Sequence, residues 1–303
     1  ALWLLQCHED PRSAFDVNVK GTFNVMEACA KNDVKRLIYS SSGSVYGDAL
    51  FETLKVVHGK ILFWEDHYFR LMSSMRIMRM EIPMNFTMEF LEQELLKTIN
   101  VNGLAKSSVR VRFNVDRGEG GKYLPKGKTI QYSIIVEKAD SDFYTIPKNE
   151  HYTVDLYKDY FVAPGLLSTL KTNNKAINVL GSIYAEENGL ANCLLLNTNK
   201  SIVEALNGNL FLVSGEQIKT PPIEDGCLKG IMRKQIIEVI VNSGDYTVEE
   251  TSISPFELQK ADELFMTNVI VGIQPILKYR KKEFKTKISG DLLRRLNMKM
   301  RLS

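Results

Sequence analysis

Cysteine is scarce in this sequence, and its spacing suits neither a metal site nor a redox pair. Only four cysteines occur in 303 residues, far apart in the chain: Cys7, Cys29, Cys193 and Cys227. None of them forms a CxxC pair, the spacing that zinc sites and redox-active dithiols use. The sequence therefore predicts reduced thiols, as in cytosolic proteins, and no metal ligands.

Long apolar runs and an excess of one charge are also absent. No run reaches the roughly 18 residues that a membrane-spanning helix needs, and residues 1–5 are too short for the apolar core of a signal peptide. The formal net charge is only +3. The densest basic run, residues 278–282, is typical of a solvated surface segment rather than of a nucleic-acid-binding patch. The sequence predicts a soluble, cytoplasmic protein that binds neither nucleic acid nor membrane.

From residue 50 onward, the pattern of apolar residues predicts a small α+β domain over residues 47–137. Residues 50–57 and 60–63 are strand-like, and His58 and Gly59 between them suit a hairpin turn. Asp66 suits a helix N-cap, and the helical spacing after it stops at Pro83. A second helix is predicted over 86–99, and residues 108–115 and 129–136 alternate like paired strands.

The polar stretch 138–149, which contains Pro147, is predicted to link this domain to a larger α/β domain over residues 150–303. A helix is predicted over 174–188, with Ile177, Leu180 and Tyr184 on one face and Gly189 after its end. Strands are predicted at 193–196, 201–203, 209–213 and 265–270, and another helix at 230–241. The predicted fold class is therefore α/β, with an α+β first domain.

Several short motifs follow one another in this part of the chain. They are GDALFET at 47–53, EDHYFRL at 65–71, RG at 117–118, a lysine at 171 ahead of the predicted helix, VEA at 203–205 with NLF at 209–211, TPP at 220–222 and GIMR at 230–233. Their order and spacing over residues 47–303 resemble the class IV aminotransferase family, the fold-type-IV pyridoxal-phosphate enzymes. The resemblance implies a homodimer with pyridoxal 5′-phosphate held between the small and the larger domain.

The resemblance assigns the chemistry that this cofactor needs to three residues. Pyridoxal phosphate is an electron sink that the protein must tether, orient and polarise. Lys171 is the expected catalytic residue, which tethers the cofactor as a nucleophile and later carries protons between substrate and cofactor. Glu204 is expected against the pyridine nitrogen. Arg70 is expected to clamp the phosphate, because its fork matches two phosphate oxygens.

Further cofactor contacts are expected at two places. Gly230, Ile231 and Met232 begin a predicted helix, and the free N–H groups and dipole of a helix start favour an anion such as a phosphate. The family often has threonine where Met232 stands, so one hydroxyl contact to the phosphate is not expected here. By analogy with the same family, Asn268 faces the cofactor.

Two stretches resemble the aminodeoxychorismate lyases of this family, which serve folate biosynthesis. Residues 267–275 fit a Thr-Asn-x-x-x-Gly-x-x-Pro pattern, and residues 117–121 fit Arg-Gly-x-Gly-Gly. The resemblance makes Arg117 the expected partner of a substrate carboxylate. Phe51 is expected beside the substrate, where D-amino-acid transaminases often have tyrosine. The expected reaction is the elimination of pyruvate from 4-amino-4-deoxychorismate, which gives 4-aminobenzoate.

An amino-acid aminotransferase, of the branched-chain or D-amino-acid type, is the alternative reaction. The branched-chain enzymes have Gly-Asn-Tyr shortly after the lysine, and this chain has Thr172-Asn173-Asn174 there. D-amino-acid transaminases differ at Phe51. These differences favour the lyase, but they leave the aminotransferase open.

The first 46 residues resemble a different family, the extended short-chain dehydrogenases and sugar epimerases. Residues 16–25, 34–42 and 45–48 carry this resemblance. The Gly-rich dinucleotide loop that precedes these stretches in that family is missing, and so is its Tyr-x-x-x-Lys pair. An NAD-dependent enzyme is therefore not predicted. A mosaic chain is predicted instead, and a catalytically dead mosaic that binds no cofactor is the alternative outside the enzyme classes.

Overall fold

The computed structural model describes residues 31, 49–118, 124–125, 127–146 and 151–302. The chain forms two compact units, residues 1–45 and 46–303, and every element named below belongs to the second unit. The epimerase-like segment, residues 16–48, lies outside the described residues except for Lys31. Its assignment as a separate fragment of a mosaic stays a prediction.

Residues 50–138 contribute a four-stranded antiparallel sheet. Its strands are β1 (Leu50–Val57), β2 (Lys60–Ile61), β3 (Val109–Arg117) and β4 (Ile130–Lys138), in the order β2-β1-β3-β4. The predicted hairpin between β1 and β2 is confirmed. His58 and Gly59 both have positive φ, of 48° and 83°, as a two-residue turn between twisted strands requires.

Two helices, α1 (Trp64–Ile77) and α2 (Met88–Val101), pack their apolar residues against one face of this sheet. Successive side chains of a strand point to opposite faces, so the alternating buried residues of β3 meet the helices. Arg110 and Arg112 therefore point to the opposite face, on the same side as Thr53 of β1, which pairs with Arg112. This second face contributes to the cavity described below.

The prediction that Asp66 caps the first helix is wrong. The helix begins two residues earlier, at Trp64, and Asp66 lies in its first turn. The Asp66 carboxylate instead accepts hydrogen bonds from Lys234 Nζ (2.6 Å) and Gln235 Nε2 (2.8 Å) of a helix far along the chain. The Asp66 side chain thus makes a tertiary contact instead of capping its own helix.

The rest of the chain contributes two five-stranded sheets and three helices. The first sheet has the order β10-β9-β8-β11-β12, and its strands are β8 (Asn209–Ser214), β9 (Gln217–Thr220), β10 (Thr247–Glu250), β11 (Glu263–Asn268) and β12 (Gly272–Ile276). The second has the order β14-β13-β5-β6-β7, and its strands are β5 (Thr153–Val162), β6 (Asn192–Asn197), β7 (Ile202–Ala205), β13 (Lys278–Tyr279) and β14 (Lys282–Glu283). The helices are α3 (Ala176–Glu187), α4 (Ile231–Ser243) and α5 (Lys287–Leu302). The predicted strands at 193–196, 201–203 and 209–213 and the two predicted helices are confirmed within a few residues.

The predicted linker shows no helix or strand over residues 139–146, and residues 147–150 lie outside the described part. Its described part is nevertheless anchored. Tyr144 is buried, and its hydroxyl donates to the Val269 carbonyl (2.7 Å) in the turn after β11. The assignment of residues 47–137 and 150–303 to two domains stays a prediction.

Helix α3 buries only part of the apolar face that the sequence indicates. Ile177 and Tyr184 pack against a core cluster around Tyr157, as expected, but Leu180 is 42% exposed. Val179 and Ile183 are exposed as well. Leu180 stays exposed because the helix is apolar on two faces and only one of them meets the sheet.

Three further features concern the described part of the chain. None of its helices is long and apolar enough to cross a membrane. Among the same residues, no cluster of His, Cys, Asp and Glu side chains could hold a metal ion. Cys193 and Cys227 are buried free thiols, and burial raises their pKa to about 11 and about 12, respectively. Both thiols are therefore protonated and unreactive at neutral pH.

Candidate active site

A cavity of about 440 Å³ is lined by residues of β1, α1 and β3, the loop before α3, β7, the start of α4 and the turn after β11. Elements far apart in the sequence thus meet at one place. Nearly all the residues that the sequence proposed for cofactor and substrate lie on its wall: Phe51, Arg70, Lys171, Glu204, Gly230, Ile231, Met232 and Asn268.

Lys171 is held in place by a short backbone ladder to β1. The Lys171 carbonyl accepts a hydrogen bond from Phe51 N (2.9 Å), and Asn173 N donates to the Ala49 carbonyl (2.7 Å). The Lys171 Nζ lies 4.3 Å from the centroid of the Phe51 ring. The loop that carries the lysine is therefore fixed to the small sheet, with its amine over an aromatic face.

The environment of Lys171 favours the neutral amine. Burial, reinforced by the nearby Arg70 guanidinium, lowers the pKa of Lys171 to about 7, while Glu52 and Glu204 oppose the shift. An amine with a pKa near 7 is about half unprotonated at neutral pH, and the unprotonated amine is the nucleophilic form. Lys171 is thus suited to attack a carbonyl carbon and to accept a proton.

Glu204 presents the only buried carboxylate that lines the cavity among the described residues. It lies on β7, and its Oε2 accepts a hydrogen bond from Leu228 N (2.9 Å). Burial raises its pKa, and the charges of Lys175 and Lys171 oppose this shift. A cationic group bound against Glu204 would reverse the effect of burial, because it would compensate the buried negative charge.

The start of α4 forms an anion site next to Arg70. Helix α4 begins at Ile231 without a side-chain cap, so the first N–H groups of the helix have no protein partner within it. Arg70 Nη1 donates to the Lys229 carbonyl (3.0 Å), which brings the guanidinium beside this helix start. A Cβ on Gly230 would collide with Asn209 Oδ1, so a glycine allows this close packing. Together the two features attract a phosphate group.

Glu52, which does not line the cavity itself, fixes the Arg70 side chain through hydrogen bonds. Arg70 Nε and Nη2 donate to the two carboxylate oxygens of Glu52, at 2.7 and 2.6 Å, and His67 Nδ1 lies 2.7 Å from Glu52 Oε2. Burial alone would raise the pKa of Glu52, but Arg70 and His67 outweigh it and lower this pKa to about 2. Glu52 is therefore a permanent anion at neutral pH. Sequence reasoning missed it, although it lies beside Phe51 in the GDALFET motif.

Asn268 lines the cavity, but its side chain also organises the turn after β11. Its Oδ1 accepts hydrogen bonds from Ile270 N and Val271 N (both 3.0 Å), and its Nδ2 donates to the Asn207 carbonyl (3.0 Å). The amide thus joins two turns that form the cavity wall. Its assignment as a cofactor contact stays a prediction.

Arg117, the expected partner of a substrate carboxylate, does not line this cavity. Its Nη2 donates to the Met78 carbonyl (2.6 Å), and its Nη1 contacts the Arg79 carbonyl (3.4 Å) at the end of α1. This guanidinium binds the backbone of the loop after α1 rather than a cavity group. The substrate role expected for Arg117 stays a prediction.

Two cations that the motifs did not indicate line the cavity. Arg110 of β3 reaches it from the sheet face that also carries Thr53, and Lys175 lies just before α3. Arg110 Nη1 donates to Glu137 Oε2 (2.6 Å). Strand alternation could have placed Arg110 on one face of β3, but only the pairing with β1 shows that this face borders the cavity.

Family comparisons give two matches along the chain. Residues 49–279 match the family described as amino-transferase class IV. Residues 3–62 match a second family, described as the 3-beta hydroxysteroid dehydrogenase/isomerase family. The second match covers the stretch in which the sequence resembles dehydrogenases and epimerases.

Individual relatives have different activities, among them branched-chain aminotransferases, D-alanine aminotransferases and an aminodeoxychorismate lyase. A protein of Methanocaldococcus jannaschii with the provisional name branched-chain-amino-acid aminotransferase is 28% identical over 262 residues, covering 86% of this chain and 88% of that protein. The aminodeoxychorismate lyase of Vibrio harveyi is 26% identical over 253 residues, covering 83% and 90%. The solved branched-chain amino acid aminotransferase of Thermobaculum terrenum, in its PLP form, superposes with a TM-score of 0.75 at 22% identity and covers 86% and 88%.

Proposed function

We propose that this chain, which belongs to the class IV aminotransferase family, is a 4-amino-4-deoxychorismate lyase. Members of this family are pyridoxal-phosphate enzymes with the fold-type-IV architecture seen here. The cavity that brings Lys171, Glu204 and Arg70 together is the observation that carries the cofactor chemistry. The additional cations Arg110 and Lys175 support the choice of substrate. The two parts of the proposal are argued separately below.

The residues on the cavity wall fit pyridoxal phosphate. The wall offers an amine with a pKa near 7 at Lys171, a buried carboxylate at Glu204, and an anion site at Arg70 and the start of α4. It also offers a buried ring nitrogen without a hydrogen-bond partner, His67 Nε2. When bound, the cofactor supplies an electron sink that makes a proton on the substrate carbon acidic.

Three residues divide the work in this proposal. Lys171 Nζ would hold the cofactor, and its neutral amine would remove the acidic proton from the substrate carbon. Glu204 holds a cationic ring nitrogen, because a buried carboxylate favours a positive partner. Arg70 and the free N–H groups of α4 hold a phosphate and thereby fix the position of the reacting carbon relative to Lys171.

The lyase reaction balances without any further reactant. Lys171 Nζ removes the ring proton next to the amine, and the carbon–oxygen bond to the enolpyruvyl group breaks with its electron pair on oxygen. The departing enolpyruvate gains a proton at carbon and becomes pyruvate. The ring, now aromatic, leaves as 4-aminobenzoate, and Lys171 returns to its starting form.

The charges of the cavity favour a substrate with two carboxylates. Besides Arg70, two further cationic residues, Arg110 and Lys175, line the cavity. Aminodeoxychorismate carries two carboxylates, and guanidinium and ammonium groups are their natural partners. A branched-chain amino acid has one carboxylate and an apolar side chain. The two extra cations therefore support the lyase.

An amino-acid aminotransferase is the second candidate. Val269, Ile270 and Val271 add an apolar patch to the cavity wall, which suits a branched side chain. The relative from Methanocaldococcus jannaschii supports this reaction as well. In this case Lys171 would carry the proton without any group leaving the substrate, and the other residues would keep their roles.

Incubation of the enzyme with aminodeoxychorismate is expected to release 4-aminobenzoate and pyruvate in equal amounts. Pairs of a branched-chain amino acid with 2-oxoglutarate are expected to react much more slowly, because the amino acid, unlike 2-oxoglutarate, has only one carboxylate for Arg110 and Lys175. Arg110→Gln should raise the KM for aminodeoxychorismate about tenfold, a loss of one charged contact. Arg117→Gln is the matched control and should leave this KM within about twofold.

Keto-acid exchange without 4-aminobenzoate would refute the lyase and establish the aminotransferase. If Arg117→Gln raises KM and Arg110→Gln does not, the substrate binds on the other side of β3. Absence of both reactions, together with no uptake of pyridoxal phosphate, is the result expected of a catalytically dead mosaic.

A homodimer is also proposed, in line with the resemblance to the family. Helix α3 exposes Val179, Leu180 and Ile183, and the segment before it exposes Leu166 and Leu167 at 61% and 66%. Apolar side chains grouped in this way suit a second copy of the chain. The double variant Leu180→Arg/Ile183→Arg is expected to sediment as a monomer at micromolar concentration, where the native chain sediments as a dimer. Met298→Arg on α5, also exposed, is the control, and a monomeric native chain would contradict the proposal.

A further inference from the structure

Two side chains on α1, the buried His67 and the half-buried Arg70, share one carboxylate, that of Glu52. The two residues are three positions apart in the helix and so lie on the same face. Both contact Glu52 of β1, Arg70 through two hydrogen bonds and His67 through Nδ1 at 2.7 Å. His67 and Glu52 are 0% and 3% exposed. The three side chains therefore form one rigid network.

The network fixes which nitrogen of His67 carries the hydrogen. Arg70 and His67 hold the pKa of Glu52 at about 2, against the effect of burial, so this carboxylate is ionised and can only accept hydrogen bonds. His67 Nδ1 must therefore be the donor. In a neutral ring, Nε2 then has a lone pair and no hydrogen.

Nε2 of His67 is a buried polar atom whose hydrogen-bonding capacity is unused in the free protein. It is buried and has no hydrogen-bond partner, yet His67 lines the cavity beside Arg70. Buried polar atoms are nearly always partnered, by protein or by a ligand. His67 lines the same cavity as Arg70 and the start of α4, and it shares Glu52 with Arg70, so an anion bound at Arg70 is the partner that we infer for this atom.

We propose that His67 takes up a proton when a tetrahedral dianion binds at Arg70, and that its Nε2–H then donates a hydrogen bond to that anion. The inference rests on the proposed function for the identity of the anion, the phosphate of the cofactor. His67 thus becomes part of the phosphate site only in the bound state. Glu52 is the positioning residue that holds both the arginine and the histidine.

The charges around His67 explain why the proton arrives with the anion. Burial lowers the pKa of His67 in the free protein, Arg70 and Lys171 lower it further, and Glu52 opposes them. A dianion at Arg70 outweighs the two cations and raises this pKa. Between the free and the bound pKa, binding consumes a proton, so affinity for the anion falls as the pH rises through this window.

Sulfate is the probe that isolates this proton. Unlike phosphate, sulfate is a dianion at all pH values near neutrality, so it cannot supply a proton itself. Lys171, with its pKa near 7, and Glu204 also border the cavity and could change protonation. The comparison is therefore made in a Lys171→Met background, between Lys171→Met and Lys171→Met/His67→Gln. Glutamine can still donate a hydrogen bond to Glu52, but it does not titrate.

Titration calorimetry of sulfate binding in two buffers of different ionisation enthalpy measures proton uptake. Lys171→Met is expected to take up about half a proton or more per bound sulfate near pH 7. In the double variant, the proton uptake per sulfate is expected to be lower by about half a proton or more. His58→Gln in the same background is the control. His58 is exposed and bonded to Asp142, away from the cavity, and its removal should change nothing.

A second readout uses the native chain and needs no variant. The chain has only four histidines, so ¹⁵N spectra of its imidazoles are simple. Saturating sulfate should move the His67 Nε2 resonance from that of an unprotonated to that of a protonated nitrogen. Equal proton uptake with and without His67, an unmoved resonance, or no sulfate binding overturns the inference. Capture of pyridoxal phosphate by Lys171, followed separately by absorbance, then shows whether the proposed function itself stands.

Discussion

Replacement of Lys171 by alanine is expected to lower turnover by about 10³-fold or more and to abolish covalent attachment of pyridoxal phosphate. Lys171 provides both the nucleophile and the proton carrier, and each role alone contributes roughly 10²-fold or more in enzymes of known mechanism. The measurement is the steady-state rate together with borohydride trapping of the cofactor. Lys158→Ala, on an exposed position of β5, is the control and should trap as much cofactor as the native chain.

The pH dependence of cofactor capture follows from the same residue. Burial and Arg70 lower the pKa of Lys171 to about 7, so the neutral fraction of the amine falls about tenfold per unit below that pH and is nearly constant above it. The rate of attachment to the free protein should rise with pH up to about 7 and then level off. A rate that continues to rise to about pH 10 would show that the reacting amine has the pKa of a solvent-exposed lysine. Undiminished trapping in Lys171→Ala would show that the cofactor attaches to another residue.

Glu204→Gln is expected to lower kcat by about 10²-fold or more while the protein stays folded. Glutamine has the same shape and can accept the hydrogen bond from Leu228 N, but it cannot stabilise a positive ring nitrogen. Glu224→Gln, an exposed change nearby, is the matched control and should keep kcat within about twofold. Native kcat in Glu204→Gln would remove this carboxylate from the mechanism.

Stability should not account for the loss in Glu204→Gln. Burial raises the pKa of Glu204 in the folded chain above its unfolded value. For a carboxyl group, this means that the ionised form lowers stability above the unfolded pKa, and the loss grows until the pH passes the folded pKa. A neutral glutamine removes that cost. The variant should therefore unfold at the same or a higher urea concentration than the native chain at pH 7.

The residues found by motif lie together in the structure, although their roles are still to be tested. Lys171, Glu204 and Arg70 come from positions separated by 30 residues or more, yet all three line one cavity. Their motifs are local sequences, so the order of the motifs along the chain sufficed to identify them. The same reasoning missed Glu52, which holds Arg70 through two hydrogen bonds, and His67, which lines the cavity.

What the sequence could not provide was the pairing of distant elements. Arg117 looked like a substrate residue from its motif, but its guanidinium binds the backbone after α1. Arg110 lines the cavity because β3 pairs with β1 in one register, which no local pattern specifies. Leu180 is apolar at helical spacing and still exposed, because periodicity does not say which of two apolar faces meets the sheet.

The most direct test of the central claim is to identify the lysine that binds the cofactor. The purified full chain is incubated with pyridoxal phosphate, its absorbance is followed through the near-ultraviolet and visible range, and the product is reduced with borohydride, digested and analysed by mass spectrometry. The account predicts a new absorbance band that borohydride removes and a single modified peptide that contains Lys171. Absence of the band, or modification spread over surface lysines with Lys171 unmodified, would contradict it.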